Sequence, residues 1–359
     1  MSALIIGGGL AGAAAAIDLA RAGHRALLLE REAAPHDKIC GEFLSGEAVA
    51  ALEALGVPPA RLGAVPIGRV ELWAGQRHVA AGLPFAALSL SRRALDAAML
   101  EVAQAAGAEV RRGMGVRSLS GTIAQTSGGE VRGRHLLLAS GKHDVRGQSR
   151  PPGPDEIGLK MYFRAPALHR HLAGTVRVVF FDGGYAGLQP VEGGRLNLCL
   201  LVAGAQYREA GDWPALLAQL LREPGLAALA DAEQLLPRPL AISRVPYGHL
   251  AQRSDDGRWR LGDQAAVIPS FCGDGMAIAL ESGRLAAAML ADGADAAIFQ
   301  GALLARTRRP VQLAMAALRF TRHPVGRMAA LAGLAAVPGA LGLLARATRV
   351  APPPALVPA

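Results

Sequence analysis

The glycine cluster GGGLAG at positions 7–12 constrains this chain more than any other stretch. Ala3 to Ile6 before it form a short apolar run of the kind a buried parallel strand shows, and Ala13 to Ala22 after it form an Ala-rich helical stretch that stops at Gly23. HRALLLE then supplies a second apolar run closing on Glu30, so the first thirty residues read as one β-α-β unit. In that setting Gly7 permits the tight turn, Gly9 lets the backbone approach a pyrophosphate, and Gly12 lets the helix pack closely on the strand. The helix N-terminus offers free N–H groups and a positive dipole end to the phosphates. Glu30, 18 residues beyond Gly12, is placed to hold a ribose hydroxyl pair, and its acid disfavours a 2′-phosphate by charge repulsion. Arg31, next in sequence, is counted with the same cofactor-binding group.

A chain of 359 residues, 51% of them hydrophobic, can bury a large core and divide into more than one domain. Cys40, Cys199 and Cys272 are too few and too widely spaced for a disulfide framework, and no cysteine pattern reads as a metal site. The turn at Gly7 leaves no room for a signal peptide, so a cytoplasmic setting is expected. The net charge of +9 suggests nucleic acid until it is located: residues 301–359 carry eight arginines and no acid, leaving residues 1–300 close to neutral. No basic stretch interleaved with aromatics accompanies it, so nucleic-acid binding is not expected. Only three residues are lysine, Lys38, Lys142 and Lys160.

Along the chain, Ser45 to Leu55 reads as a helix and Val70 to Phe85 as short strands with turns. A further helix over SRRALDAAMLEVAQAAG presents Leu95, Ala98, Met99 and Val102 as its apolar face. Leu136 to Ala139 is a buried strand ending near Gly141, and Gly158 to Val202 alternates as an antiparallel, aromatic-bearing sheet set into the parallel one. Trp213 to Ala230 returns to helix. These elements predict an α/β, Rossmann-like fold: a dinucleotide-binding domain over 1–155 with substrate-domain strands near 65–90, an antiparallel substrate sheet over 156–245, a second part of the binding domain over 246–300, and a basic, apolar helical region over 301–359. Met328 to Ala345 is uncharged and mostly apolar, with Pro338 inside it and arginines flanking it. Residues 319–349 therefore read either as helices packed on the body or as a peripheral membrane contact.

A second site-forming stretch is GDQAAVIPSFCGDGM, from Gly262 to Met276. An Asp just past a strand end, Asp263, can accept hydrogen bonds from a sugar-alcohol chain. The turn that opens the next helix would aim a helix N-terminus at an electron-rich ring, stabilising negative charge that develops there on reduction. These are the needs of FAD.

Together with GGGLAG, SRRALD and ASGKHDVRG, this stretch resembles the FAD-dependent oxidoreductases that include group A flavin monooxygenases, flavin halogenases and geranylgeranyl reductases. The resemblance implies that Gly7, Gly9, Gly12 and Glu30 hold the adenosine diphosphate, that Arg92, with Arg93 as its neighbouring rival, contacts the phosphate or ribityl region, and that Asp263 holds the ribityl chain. Pro269, Gly273, Gly275 and Met276 would border the flavin ring. NAD(P)H is the implied electron donor and a small hydrophobic or aromatic molecule the implied substrate, met by Lys38, Glu42, Lys160 and Tyr185. The chain departs from aromatic hydroxylases by carrying Ala266 where they usually carry His, and from tryptophan halogenases by lacking their Trp-x-Trp pattern. Two activities are implied, the first as the expected one and the second as its alternative. One is oxygen transfer to an aromatic, polyketide or quinone-like molecule through a flavin C4a-hydroperoxide. The other is reduction of prenyl or other C=C bonds, with Cys40 of KICGE as the proton donor.

Overall fold

The computed structural model describes residues 2–252, 256–337 and 339–349. Five parallel strands form the first sheet, in the order Arg258–Arg260, His135–Leu138, Ser2–Ile6, Arg25–Leu29 and Glu109–Arg111. Its centre is apolar on both faces, as a sheet sandwiched between layers requires: Leu4 and Ile5 align with Leu27 and Leu28 on one side and with Leu136 and Leu137 on the other. Leu4, Ile5, Leu28, Leu136 and Leu137 are fully buried. Helix α1 (Leu10–Arg21) covers one face, with the five consecutive positions Ala13 to Ile17, and then Leu19, contributing small or apolar buried surface. A three-stranded meander, Val116–Ser120, Ile123–Thr126 and Gly129–Arg132, packs on the opposite face through Ala124, Val116 and Val131.

A second sheet of nine strands stands beside the first. Its main order is Glu233–Gln234, Glu156–Arg164, Arg195–Ala203, Gly184–Val191, Gly174–Phe181, Val65–Ala74, Arg77–Ser89 and Phe43–Leu44, with Leu240–Ser243 also paired to Glu156–Arg164. The sheet expected to be set into the parallel one is thus separate from it, and it is not wholly antiparallel: Gly174–Phe181 runs parallel to Val65–Ala74. That joint requires a crossover, which the intervening parallel-sheet elements provide. Val70 to Phe85 belongs to two long strands joined at a Gly75 turn rather than to several short ones.

Helices fill the connections. Ser45 caps α2 (Gly46–Ala54) and Ser91 caps α3 (Arg92–Ala105), each by accepting from the backbone N–H three residues on. The short α4 (Pro166–His171), α5 (Gly204–Ala210) and α6 (Trp213–Leu220) border the second sheet. The helix expected to continue to Ala230 stops at Leu220, because Pro224 and Gly225 follow; only a 3₁₀ turn, Ala227–Leu229, resumes. Then come α7 (Gly275–Ala291), packed along α1, and α8 (Ala296–Arg322). The chain turns at His323 into α9 (Pro324–Ala336) and α10 (Ala340–Ala347), which lie over the strand pair Val65–Ala74 and Arg77–Ser89. No helix among the described residues is long and apolar enough to cross a membrane. Pro338 and residues beyond 349 lie outside the described residues.

Candidate flavin site and adjoining cavity

Where the first strand hands over to α1, the backbone leaves no room for side chains. Gly7 has φ +107°, and a Cβ there would lie 2.4 Å from the Ala139 carbonyl oxygen; a Cβ on Gly12 would lie 2.0 Å from the Gly7 oxygen. Gly9 differs: a Cβ there would meet only two cationic head groups, Arg92 Nη2 at 3.4 Å and Lys38 Nζ at 3.9 Å. The turn is thus open toward positive charge on the side where helix N–H groups emerge. Glu30 is fixed at the end of its strand, its two carboxylate oxygens accepting from Gly8 N at 2.8 Å and Glu32 N at 2.9 Å.

From this turn a groove runs in two connected parts. One, of about 350 Å³, is lined by Gly7, Glu30, Arg31, Lys38 and Ser140; the other, of about 120 Å³, by Cys40, Gly41, Gly273, Gly275 and Met276. Gly9, Arg92, Gly141, Lys142 and Asp263 belong to both. Arg92 points into the groove and is held by Asp96 (2.8 Å), which also holds Lys38 (2.7 Å), whereas Arg93 is largely exposed and only 3.9 Å from Asp37. Burial acts to raise Asp96, yet Arg92 and Lys38 together hold its carboxyl below the usual range, so it stays an anion. Lys142 Nζ lies 3.6 Å from Asp263 Oδ2; burial is the largest influence and would lower this lysine, but Asp263, Cys40 and Tyr247 together outweigh it and the net shift is upward. Pro269 is buried behind the turn and is not among the groove-lining residues. Arg31 is exposed at the outer end, paired with Glu32.

Residues 38–42 separate this groove from a second space, and every carbonyl in the segment is tied. Lys38 O accepts from Lys160 Nζ (3.0 Å), Ile39 O from Lys142 Nζ (3.3 Å), Cys40 O and Gly41 O from Asn197 Nδ2 (3.1 and 3.0 Å), and Glu42 O from Leu90 N (3.2 Å). Glu42 has φ +62°, a conformation that non-glycine residues adopt only when their surroundings over-determine it. Its Oε1 receives Lys160 Nζ at 2.5 Å, Tyr162 Oη at 2.7 Å and Arg92 N at 2.8 Å. Glu42 and Lys160 are both fully buried, so neither side chain reaches the groove or the cavity as a free charge. Burial pushes the Glu42 carboxyl up and outweighs the Lys160 ammonium. Lys38, expected on the substrate side, stands instead in the charged groove.

Beyond the segment lies a cavity of about 650 Å³ between the second sheet and helices α8–α10. It meets the groove at Gly41, Phe43, Ser270 and Gly273. Its walls are aliphatic and aromatic: Val70, Leu72, Val178 and Phe180 from the sheet, Leu331 and Leu334 from α9. Tyr185 is buried on this wall with its ring 5.5 Å from that of Phe271. Its hydroxyl lies beside Tyr247 and Ser270, which bond one another at 2.8 Å. Cys199, also on the wall, is pushed up to about 12 by burial and stays a thiol.

Several functional contacts escaped the sequence. Lys142, Asn197, Arg150 and Gln264 clamp the loops around the groove, Arg150 through the Asp263 carbonyl at 2.6 Å and Gln264 through the Gly141 carbonyl at 2.8 Å. For Lys142 there was a signal: an arginine-rich chain keeps only three lysines, and all three converge on residues 38–42.

The fold and the groove fit FAD: glycines where backbone must pass, cations at Gly9, a fixed acid for the ribose, and a groove that reaches the N-terminus of α7. They define a flavoprotein oxidoreductase. The description FAD binding domain matches residues 1–143. A menaquinone reductase of Mycobacterium tuberculosis (strain ATCC 25618 / H37Rv) is 28% identical over 334 residues, covering 84% of this chain and 79% of the relative. A digeranylgeranylglycerophospholipid reductase 2 of Methanopyrus kandleri is 28% identical over 313 residues, covering 80% and 76%. Among solved structures, the brominase Bmp2 superposes with TM-score 0.79 at 17% identity over 97% of this chain and 93% of that one. The probable FAD-dependent monooxygenase pqsL of Pseudomonas aeruginosa superposes with TM-score 0.74 at 19% identity over 94% and 100%. Residues 1–143 thus match an FAD binding domain, and over about four fifths of its length the chain is similar to FAD-dependent oxidoreductases.

Proposed function

We propose that the protein reduces a C=C bond in an elongated, apolar, prenyl-like molecule. The observation that carries this reading is the cavity: about 650 Å³ of almost wholly hydrocarbon wall opening onto the inner end of the flavin groove. A polar aromatic would find few partners for its hydroxyls on such walls, at a penalty of about 1–3 kcal/mol for each left unpaired, whereas a hydrocarbon chain gains from most contacts. Relatives named as reductases of a menaquinone and of a geranylgeranyl lipid support the same class.

Gly7, Gly9, Gly12, Glu30, Arg92 and Lys38 would hold the adenine, ribose and pyrophosphate, and Asp263, Gly273 and Gly275 the ribityl chain and ring. When bound and reduced, with NAD(P)H as the proposed donor, FAD supplies a hydride. Saturating a C=C bond also consumes one proton. Cys40 Sγ lines the groove beside Gly41, which faces both spaces, and Arg92 and Lys142 interact electrostatically with it. Cys40 gives its proton to the second carbon, and solvent then returns a proton to the sulfur. The rigid 38–42 segment keeps Sγ in place, and the Tyr185 hydroxyl on the cavity wall orients the polar end of the substrate. The alternative, oxygen insertion, draws on the likeness to pqsL, a likeness of fold.

The test is turnover of a prenylated quinone or prenyl lipid under anaerobic conditions. Reduction is expected to proceed without O2 and to fall about 10²-fold or more in Cys40→Ser, with FAD content unchanged. Strict dependence on O2, with one O2 consumed per product, would establish the alternative. Full activity of Cys40→Ser would remove the thiol from the chemistry.

A further inference from the structure

The cavity has a mouth, and the mouth has a chemical character. Phe320 of α8 and Leu344 of α10 line the cavity while remaining 53% and 43% exposed, so they sit at its rim with one side toward solvent. Around them Val325, Val337 and Leu343 are the other large apolar side chains exposed among the described residues, apart from Ile298. All five rim and outer residues fall between 320 and 344: Phe320 and Val325 at the α8–α9 corner, Val337 at the end of α9, and Leu343 and Leu344 on α10. Exposed apolar side chains in such a cluster mark an interaction surface rather than ordinary surface scatter.

The charge around the cluster selects what it meets. Arg319 precedes Phe320 and Arg346 follows Leu344 by two; both are exposed, and neither has an ion-pair partner among the described residues. By contrast Arg306, Arg322, Arg327 and Arg349 of the same region are paired inward with Glu281, Glu156, Asp182 and Asp274. The acid-free stretch 301–359 therefore pins its helices to the body with half of its arginines and leaves others facing outward. Apolar side chains flanked by unpaired cations complement an anionic lipid surface; two copies of the same positive face would repel.

We propose that the α8–α9 corner and α10 dock on an anionic lipid bilayer with the cavity mouth against the membrane, so that an apolar molecule passes from the lipid into the cavity without crossing water. The docking does not depend on which reaction follows, because it concerns the outer face alone.

The experiment is flotation of the FAD-loaded protein with phosphatidylcholine vesicles, with and without phosphatidylglycerol. Binding is expected only with the anionic lipid, to weaken about fivefold for each of Arg319→Gln and Arg346→Gln, and to fall further in Val325→Ser/Leu343→Ser. None of these four residues lines the cavity. Flavin absorbance and melting temperature report whether each variant is folded; should the serine pair unfold, the exposed arginine variants carry the test alone. Equal binding to neutral and anionic vesicles, or unchanged binding of the arginine variants, overturns the proposal. So does a dimer in sedimentation velocity that the same substitutions dissociate, since the face would then belong to a second copy.

Discussion

Glu42 is the most heavily constrained residue of the site: positive φ, no exposure, and three donors converging on one oxygen. Removing a partner from such a group leaves a buried charge uncompensated. Lys160→Met is expected to destabilise the protein by about 3–5 kcal/mol, read as a lower urea midpoint, and Glu42→Gln combined with Lys160→Met is expected to recover part of the loss. A single variant within about 1 kcal/mol of the parent would show that the pair is replaceable by packing alone. At this scale the turn at Gly7–Gly12 and the strand end at Glu30 were legible, because that geometry is encoded within a few residues. Asn197 was not: it acts on Cys40 and Gly41, 157 and 156 residues away, and only the sheet brings them together. Glu42 and Lys160 were read as substrate groups because charge in a sequence does not reveal whether its partner is another side chain.

The element whose behaviour is most readily tested is the N-terminus of α7. Asp274 there is fully buried against Arg349 from the end of α10, and Arg349 also stacks over Phe85, 4.3 Å from its ring centre. Burial dominates over the guanidinium and raises the Asp274 carboxyl to about 7. Folded protein therefore retains a proton that the unfolded chain, with an ordinary value of 3.8, releases. Stability contributed by this group is present below about pH 4, declines as pH rises toward 7, and is flat beyond. Asp274→Asn is expected to remove that decline, seen as a shallower fall in melting temperature between pH 5 and 7 than the parent shows; parallel curves would place the proton elsewhere. Elements with strong periodicity, α1 and α3 above all, were legible. The meander over 116–132 was missed, since its short strands alternate weakly and show little apolar surface until packed on the parallel sheet.

At the scale of the whole molecule, one hydrophobic core is built on the parallel sheet and borders the groove, and a second is built on the nine-stranded sheet. A cofactor in the groove binds the folded state alone and raises stability by mass action, about 2.7 kcal/mol at a hundredfold excess over its dissociation constant. Melting temperature is expected to rise with added FAD in the parent and to need higher FAD for the same rise in Arg92→Gln, which removes a cation facing Gly9 without touching either core. Equal FAD dependence in the two proteins would take Arg92 out of the groove. The two-layer division was visible in the sequence as a change from buried runs to alternating strands, but the pairing of distant strands was not, because register across a crossover leaves no local trace.

The parallel joint between Val65–Ala74 and Gly174–Phe181 also sets an order of events at the ribosome. The hairpin Val65–Ser89 emerges early with one edge meant for a strand not yet made, and it must wait while the meander, two strands of the parallel sheet and the strand Glu156–Arg164 are synthesised. Contacts of such long sequence separation form late and slowly. Newborn chains of this protein therefore pass through a stage with an open, partly apolar strand edge, and the hazard in making it lies in time rather than in final stability.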